Sequence, residues 1–416
     1  MVLLPALAAC AWLAAAPVAT SAIQPTGEVR GLWVGRASLT SRASITAMVG
    51  EARAMGVNTL FVQVRGRGEA FYRSRLEPRA SELSAAPADF DPLEAVLAEA
   101  RAAGLRVHAW INVNLVAGAS WMPGSPAHVG RRHPDWLMAP RALAASLARR
   151  SPRSADYLAD LARWTAGASQ RVEGLYLSPL VPAARDHTIA VVDELVRAYR
   201  LDGLHLDYIR YPGPDFDYSS AALAEFRRAQ IGRGVPAADR QRLDRAARGD
   251  PSIWTRTYPA SWTSFREAAL TTLVARLRAV AVQARPGLAL SAAVLPDPER
   301  ARLEKLQDWA AWADAGYLDA VCPMLYTTDA AEFRAQVAAI RTRLARGGAE
   351  LWAGIGAYRL PAVRTVAHVR TARQQGAEGI VLFSYEQLSA QTADTLPAVR
   401  NLLRSALVGP AEFESR

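Results

Sequence analysis

The sequence predicts an α/β protein of the (β/α)8 (TIM) barrel class. Three observations carry that expectation. From Val29 onward, short apolar runs rich in β-branched and aromatic residues alternate with amphipathic stretches of helical length, the pattern of a parallel sheet covered by helices. Eight such runs can be counted, Val29–Arg36, Asn58–Arg65, Arg106–Val113, Gly203–Tyr211, Ala289–Leu295, Ala320–Tyr326, Leu351–Ala357 and Gly379–Tyr385, and eight strands close a barrel. Finally, the connections are unequal. Glycine-ended turns at Gly56, Gly104 and Gly376 precede strands, whereas long segments follow the third strand (Asn114 to about Arg185) and the fourth (Gly213 to about Trp262). In this fold the βα loops build the active site, so insertions there are read as walls of a substrate groove.

The individual elements carry ordinary signals. Phe90-Asp91-Pro92 opens a helix whose Leu93, Val96, Leu97 and Ala100 share one face, and Gly104 closes it. The expected domain division is a signal segment over 1–22, the barrel over 23–408 and a tail over 409–416. Residues Val2 to Ala19 are apolar or small and the first charge is Glu28, which resembles a secretory signal with a cleavage site near Thr20-Ser21-Ala22 and a mature start near Ile23. Leu7-Ala8-Ala9-Cys10 also resembles a bacterial lipobox, which would make Cys10 a lipidated first residue and tie the protein to a membrane. The expected location is therefore periplasmic or secreted, with lipid anchoring through Cys10 as the alternative. Without Cys10 the sole thiol is Cys322, which leaves no internal disulfide and no cysteine-based metal site.

Composition narrows the function classes. Half-apolar content (51%) with 21% charged residues is globular. The net charge of +10 comes from 49 basic against 39 acidic residues, and Lys305 is the single lysine. The arginines scatter over helix faces rather than forming a basic stripe, so no nucleic-acid partner is expected, while attraction to an anionic envelope polymer fits. A monomer is expected.

Strand phasing selects candidate site residues. Alternation turns Phe61, Gln63 and Arg65 inward on the second strand, His108, Trp110 and Asn112 on the third, and His205 and Asp207 on the fourth. A buried Asp207 needs a partner, and Arg65 or His205 could serve. The competing reading is a structural ion pair inside the barrel, and for His108 it is core filling. A metal set of His108, His205 and Asp207 lacks any tight ligand pair, so neither metal nor cofactor is expected. Trp33, Trp110, Tyr326 and Trp352 fall on inward positions, Tyr358 follows the seventh strand, and Trp121 and Trp136 lie in the long third loop. Each alone could be core; together at a barrel mouth they favour a saccharide groove.

The runs VRGLWVGR, GVNTLFVQVRGRGEAFYRS, RHPDWL, YRLDGLHLDYIRYP, LDAVCPMLYT and GAEGIVLFSYEQL resemble the glycosyl hydrolase-like 10 family. The resemblance spans about Val29 to Leu388 and implies a bacterial barrel acting on peptidoglycan glycan strands, some members being lipoproteins. Asp202 to Tyr208 also resembles the DGxDxDxE strand of family 18 chitinases, and Met324-Leu325-Tyr326 their MxY strand. In those enzymes the final Glu is the general acid and the preceding Asp steadies the substrate acetamido group. Here Ile209 stands at the Glu position.

The resulting expectation is an exported glycoside hydrolase cleaving β-linked, N-acetylated glycan, with a non-catalytic glycan-binding barrel or an envelope deacetylase or amidase as alternatives. Two carboxyl groups are required. Asp207 is one; the second is sought among Glu386, Asp297, Glu69 and the substrate's own acetamido group. Arg65, Trp110, Asn112, His205, Tyr208, Arg210, Tyr326 and Tyr385 are candidate substrate-binding residues.

Overall fold

The computed structural model describes residues 27–120, 124–389 and 396–408. The signal segment, the Cys10 lipobox, the Ile23 boundary, Trp121 and the tail over 409–416 lie outside the described residues.

Eight parallel strands close on themselves: β1 (Val29–Val34), β2 (Thr59–Arg65), β3 (Arg106–Asn112), β4 (Gly203–Asp207), β5 (Ala289–Val294), β6 (Ala320–Leu325), β7 (Glu350–Gly356) and β8 (Gly379–Phe383). The ring follows chain order, and β1 completes it by pairing with β8, Trp33 opposite Phe383. The (β/α)8 barrel read from the sequence is the fold observed.

Alternation sorts the two faces as expected. Leu60, Val62, Val64, Leu204 and Leu206 join the core between strands and helices. Trp33, Phe61, Trp110, Cys322, Trp352 and Val381 fill the barrel interior. Room for these large rings comes from inward glycines: a Cβ on Gly354 would lie 2.8 Å from the Trp33 ring, and one on Gly203 would lie 2.3 Å from His108 Nδ1.

The helix signals behave as read. Asp91 caps the helix Pro92–Ala102 by accepting from the Glu94 N–H, and Ser41 and Ser44 close a capping box on Arg42–Ala54. Gly56, Gly104 and Gly376 take positive φ values of 82°, 72° and 81°, the left-handed turn that lets each chain leave a helix for the next strand.

Several strands end sooner than their apolar runs. The fourth stops at Asp207 rather than Tyr211 because Tyr208 adopts φ 49°, which breaks the extended alternation. The first stops at Val34, before a 3₁₀ turn over Arg36–Leu39.

The two long insertions are folded pieces with small cores of their own. After β3, the strands Leu115–Gly118 and Gly174–Tyr176 pair antiparallel over a cluster including Leu137, Tyr157, Leu161 and Leu177. After β4, the helices Ser220–Gly232, Ala237–Ala247 and Ile253–Thr257 enclose Phe226, Leu243, Trp254 and Trp262. Both stand on the C-terminal face of the barrel. Among the described residues, no helix is long and apolar enough to cross a membrane.

Candidate active site

A cavity of about 500 Å³ opens at the C-terminal ends of the strands. Asp207, the last residue of β4, lines it together with Asn112 from β3, Tyr326 just past β6 and Glu386 just past β8. Trp33, Trp110, Tyr208 and Phe383 supply aromatic walls, and Arg36, Arg67 and Arg210 supply positive charge.

Asp207 is held on several sides. Its Oδ1 accepts from the Tyr208 N–H at 2.6 Å. Arg210 Nη1 lies 3.5 Å from the same oxygen. Burial pushes the Asp207 carboxyl above the ordinary aspartate range, and the opposing pull of Arg210, the Tyr208 N–H and the nearby Trp110 indole does not bring it back. Arg210 in turn reaches Glu173 at 3.6 Å and stacks over the Tyr208 ring at 4.1 Å. Glu173 accepts from the Tyr176 hydroxyl at 2.8 Å, so the antiparallel pair in the third insertion anchors the charge that faces Asp207.

Glu386 begins the short helix Tyr385–Ser389. Its Oε1 accepts from the Gly35 N–H at 2.7 Å and from the Ser38 hydroxyl at 2.8 Å. The segment after β1 thereby orients a carboxylate carried by β8. Elsewhere around the rim, Asn112 donates to the Gly66 carbonyl at 2.7 Å. Arg36 donates to Gln63 at 2.9 Å and pairs with Glu82 at 3.0 Å, and Arg67 pairs with the same Glu82.

The expected residues divide cleanly. Asp207, Glu386, Trp110, Asn112, Tyr208, Arg210 and Tyr326 line the one cavity. Arg65 does not. Its guanidinium turns away to make a bidentate pair with buried Glu77 at 2.6 and 2.7 Å and donates to the carbonyls of Asn112 and Val113. A buried charge takes the nearest well-shaped partner, and a register shift between Gln63 and Arg65 brings it there.

His205 is also displaced from the expected role. Its Nε2 accepts from the Trp33 indole at 3.1 Å, which leaves Nδ1 to donate to Ser291 Oγ at 2.9 Å. Burial lowers its pKa to about 3 and that of His108 likewise to about 3. Both are neutral core rings, and Trp33 and Ser291 occupy the two His205 nitrogens; among the described residues no group of three His, Cys, Asp or Glu side chains is disposed around a metal position.

Asp297 is exposed and caps the helix Pro298–Lys305, accepting from the N–H groups of Glu299 and Arg300. Tyr385 packs into the core between strands and helices, and Glu69 is buried without lining the cavity. Trp352 is barrel core, Trp136 stacks on His133 with centroids 3.8 Å apart, and Tyr358 stands half exposed against Tyr326 and Phe383 near the mouth.

Phe383, Arg36 and Glu173 are among the contributors that escaped the sequence reading. Phe383 was legible from alternation on β8, where it follows inward Val381. Arg36 fell inside the expected first strand, where alternation from inward Trp33 put it on the outer side; the strand ends at Val34 and a 3₁₀ turn redirects it. Glu173 has no local signal at all, since it reaches the site only through the fold of the third insertion.

The profile of the glycosyl hydrolase-like 10 family matches residues 28–369. The chain belongs to this family. It is 24% identical over 206 residues to glycosyl hydrolase YngK of Bacillus subtilis, a match covering 45% of this chain and 34% of that protein. It is 27% identical over 225 residues to glycosyl hydrolase DigH of Escherichia coli, covering 46% of this chain and 44% of that one. The chain thus spans less than half the length of these relatives. Among solved structures, the glycoside hydrolase domain of PgaB (BpsB) from Bordetella bronchiseptica superposes with a TM-score of 0.60 at 16% identity, over 90% of this chain and 99% of that one. The catalytic domain of β-amylase from Paenibacillus polymyxa does so with a TM-score of 0.56 at 12% identity, over 90% and 97%. At such identities these neighbours establish the barrel fold. Family and fold together place this chain among the glycosyl hydrolase-like (β/α)8 barrels.

Proposed function

We propose that this chain is an exported glycosidase that cleaves β-linked, N-acetylated glycan, with peptidoglycan strands as its substrate. One observation carries the reading: Asp207 and Glu386, brought by strands on opposite sides of the eight-membered ring, line the same aromatic-walled cavity. Glycosidic hydrolysis requires two carboxyl groups in different environments. Asp207, raised by burial, is suited to hold a proton and deliver it to the glycosidic oxygen as the bond from that oxygen to the anomeric carbon breaks. Glu386, oriented by Gly35 and Ser38, accepts a proton from the water whose oxygen bonds to the anomeric carbon. Trp33, Trp110, Tyr326 and Phe383 offer flat apolar faces to sugar rings, while Asn112 and Arg36 offer polar contacts at the edge.

A second route within the same function is favoured by Asp207 occupying the position that steadies the acetamido group in family 18 chitinases. On that route the acetamido oxygen of the substrate bonds to the anomeric carbon as the glycosidic oxygen leaves with a proton from Glu386, and Glu386 then takes a proton from the water that opens the resulting ring. The place of the chitinase acid is not refilled: Ile209 is buried in the outer core, facing away from the cavity.

The similarity to proteins named glycosyl hydrolases supports the reaction class, and the apolar opening segment supports export. Purified protein incubated with peptide-free glycan strands should release new reducing ends, insensitive to chelators. Strands bound but left intact would replace the enzyme with a glycan-binding barrel, and acetate or amine release without chain cleavage would replace it with a deacetylase or amidase.

A further inference from the structure

Beside the catalytic cavity lies a second cavity of about 850 Å³, walled by the loops that follow β3, β4 and β5. The two share a wall. Val172 lines the second cavity while its neighbour Glu173 holds Arg210 of the first, and Pro212 lines the second two residues after Arg210. A glycan leaving the catalytic cavity past β4 crosses this wall directly.

Its chemistry is that of an acidic-sugar site. Arg141, Arg171 and Lys305 all line it, and among the described residues none of the three makes an ion pair. Arg141 and Arg171 are exposed, Arg141 resting 5.8 Å from the Tyr218 ring. Lys305, the chain's single lysine, is half buried and donates to the Pro212 carbonyl at 2.5 Å. Of the acids nearby, Glu304 is engaged by Arg300 at 3.0 Å, Glu173 acts on Lys305 at longer range while facing Arg210 and Tyr176, and Asp215 is exposed. Trp164 and Phe216 form an edge-to-face pair at 5.8 Å that adds an aromatic surface. Two exposed arginines without an ion pair among the described residues, with a half-buried lysine and an aromatic platform, suit a sugar ring that carries a carboxylate.

We propose that this second cavity is a remote subsite for a carboxylate-bearing sugar residue of the glycan, held by Arg141, Arg171 and Lys305 with its ring against Trp164. The inference rests on the glycan-cleaving reading and assigns where on the rim the carboxylate of such a strand is held.

The test compares peptide-free peptidoglycan strands with the same strands after reduction of their carboxyl groups to alcohols, binding being measured by calorimetry on the full chain. Wild-type protein should bind the native strands about tenfold tighter, the effect of one or two charge-assisted hydrogen bonds. The Arg141→Ala/Arg171→Ala double variant should lose that difference while binding reduced strands as the wild type does, and Arg171→Glu, an exposed charge reversal, should favour the reduced strands. Equal wild-type affinity for the two strands, or a preference that survives in the double variant, overturns the subsite. Reducing-end release is followed in parallel. Cleavage without a charge preference removes the subsite and keeps the hydrolase; a charge preference lost in the variants without any cleavage supports the subsite and removes the hydrolase.

Discussion

Arg210 stands 3.5 Å from Asp207 Oδ1, too far for a tight ion pair and near enough to steady the ionised form. Its other nitrogen faces Glu173 at 3.6 Å. The guanidinium is therefore shared between two carboxylates, and neither contact is the short bidentate pairing that Arg65 makes with Glu77. That sharing leaves Asp207 under-compensated in a buried setting, the condition under which a carboxyl keeps a proton that it can give away.

The first prediction concerns Asp207→Asn. If this carboxyl is the acid, the substitution should cut glycan cleavage by a factor of roughly 10² to 10⁴ with little loss of binding. Stability should move the other way. Burial raises the Asp207 pKa in the folded chain, so the folded state holds the proton more tightly than the unfolded one. Stability from this group is then complete below the ordinary aspartate range and is lost as pH rises through the folded value. Asparagine escapes that loss. The variant should melt with the wild type in acid and at a higher temperature near pH 7; a lower melting temperature near pH 7 with normal turnover would make Asp207 a structural residue.

Glu386→Gln and Asp297→Asn separate the two remaining carboxyl candidates. Glu386→Gln nearly preserves volume and removes the charge that Gly35 and Ser38 orient, so a rate loss comparable to that of Asp207→Asn is expected. Asp297→Asn exchanges one good helix cap for another on an exposed turn, so both turnover and melting should stay near wild type. Reducing-end assays on the two purified variants decide it, and a severe defect confined to Asp297→Asn would refute the site.

Glu173 acts on Asp207 through Arg210, as a positioning residue. Its negative charge helps to raise Asp207 and competes for the Arg210 guanidinium. With Glu173→Gln the guanidinium serves Asp207 alone, so the Asp207 pKa should fall. A general acid must be protonated to work, so the alkaline limb of the kcat/KM profile should move to lower pH. An unmoved limb, or one displaced to higher pH, would break the link.

The Arg65–Glu77 pair should matter to folding and not to chemistry. Burial would raise Glu77, but Arg65 and His187 outweigh it and hold its pKa at about 2. Its stabilisation is present above the ordinary glutamate range and disappears as pH falls toward that value. Glu77→Gln strands a buried guanidinium, at a cost of about 3 to 5 kcal/mol. Chemical denaturation at pH 7 should reveal that loss, with a flatter acid side to the stability profile, while turnover per folded molecule stays within about twofold. A variant as stable as wild type would show that Arg65 is satisfied by the carbonyls of Asn112 and Val113 alone.

Barrel membership and facing were legible because they are local. Period-two alternation in Phe61 and Gln63, or in His205 and Asp207, states which side of a strand a residue occupies, and it did so without knowledge of the neighbours. The same alternation carried Asp207, Asn112 and Trp110 to the cavity. It failed where the backbone leaves the extended state, as at Tyr208, whose positive φ ends the strand four residues before the apolar run ends at Tyr211.

What the sequence by itself determined, then, is the closed eight-strand architecture, the inward set on each strand and the rim at which polar groups gather, all consequences of hydrophobic periodicity along a single segment. Partnership was decided only by tertiary structure. Glu386 and Asp297 look alike in sequence, each an acid just beyond a strand. They part because closure of β1 on β8 sets Gly35, 351 positions away in the chain, against Glu386, while Asp297 meets only the helix that it starts. His205 faces inward as expected and Arg65 turns away past a register shift, yet Glu77, Trp33 and Ser291 claim them, because a buried polar group is settled by whichever partner the packed barrel presents. Glu173 reaches Arg210 only after the third insertion has folded over the rim, since a contact made across a folded loop leaves no periodic trace in the chain.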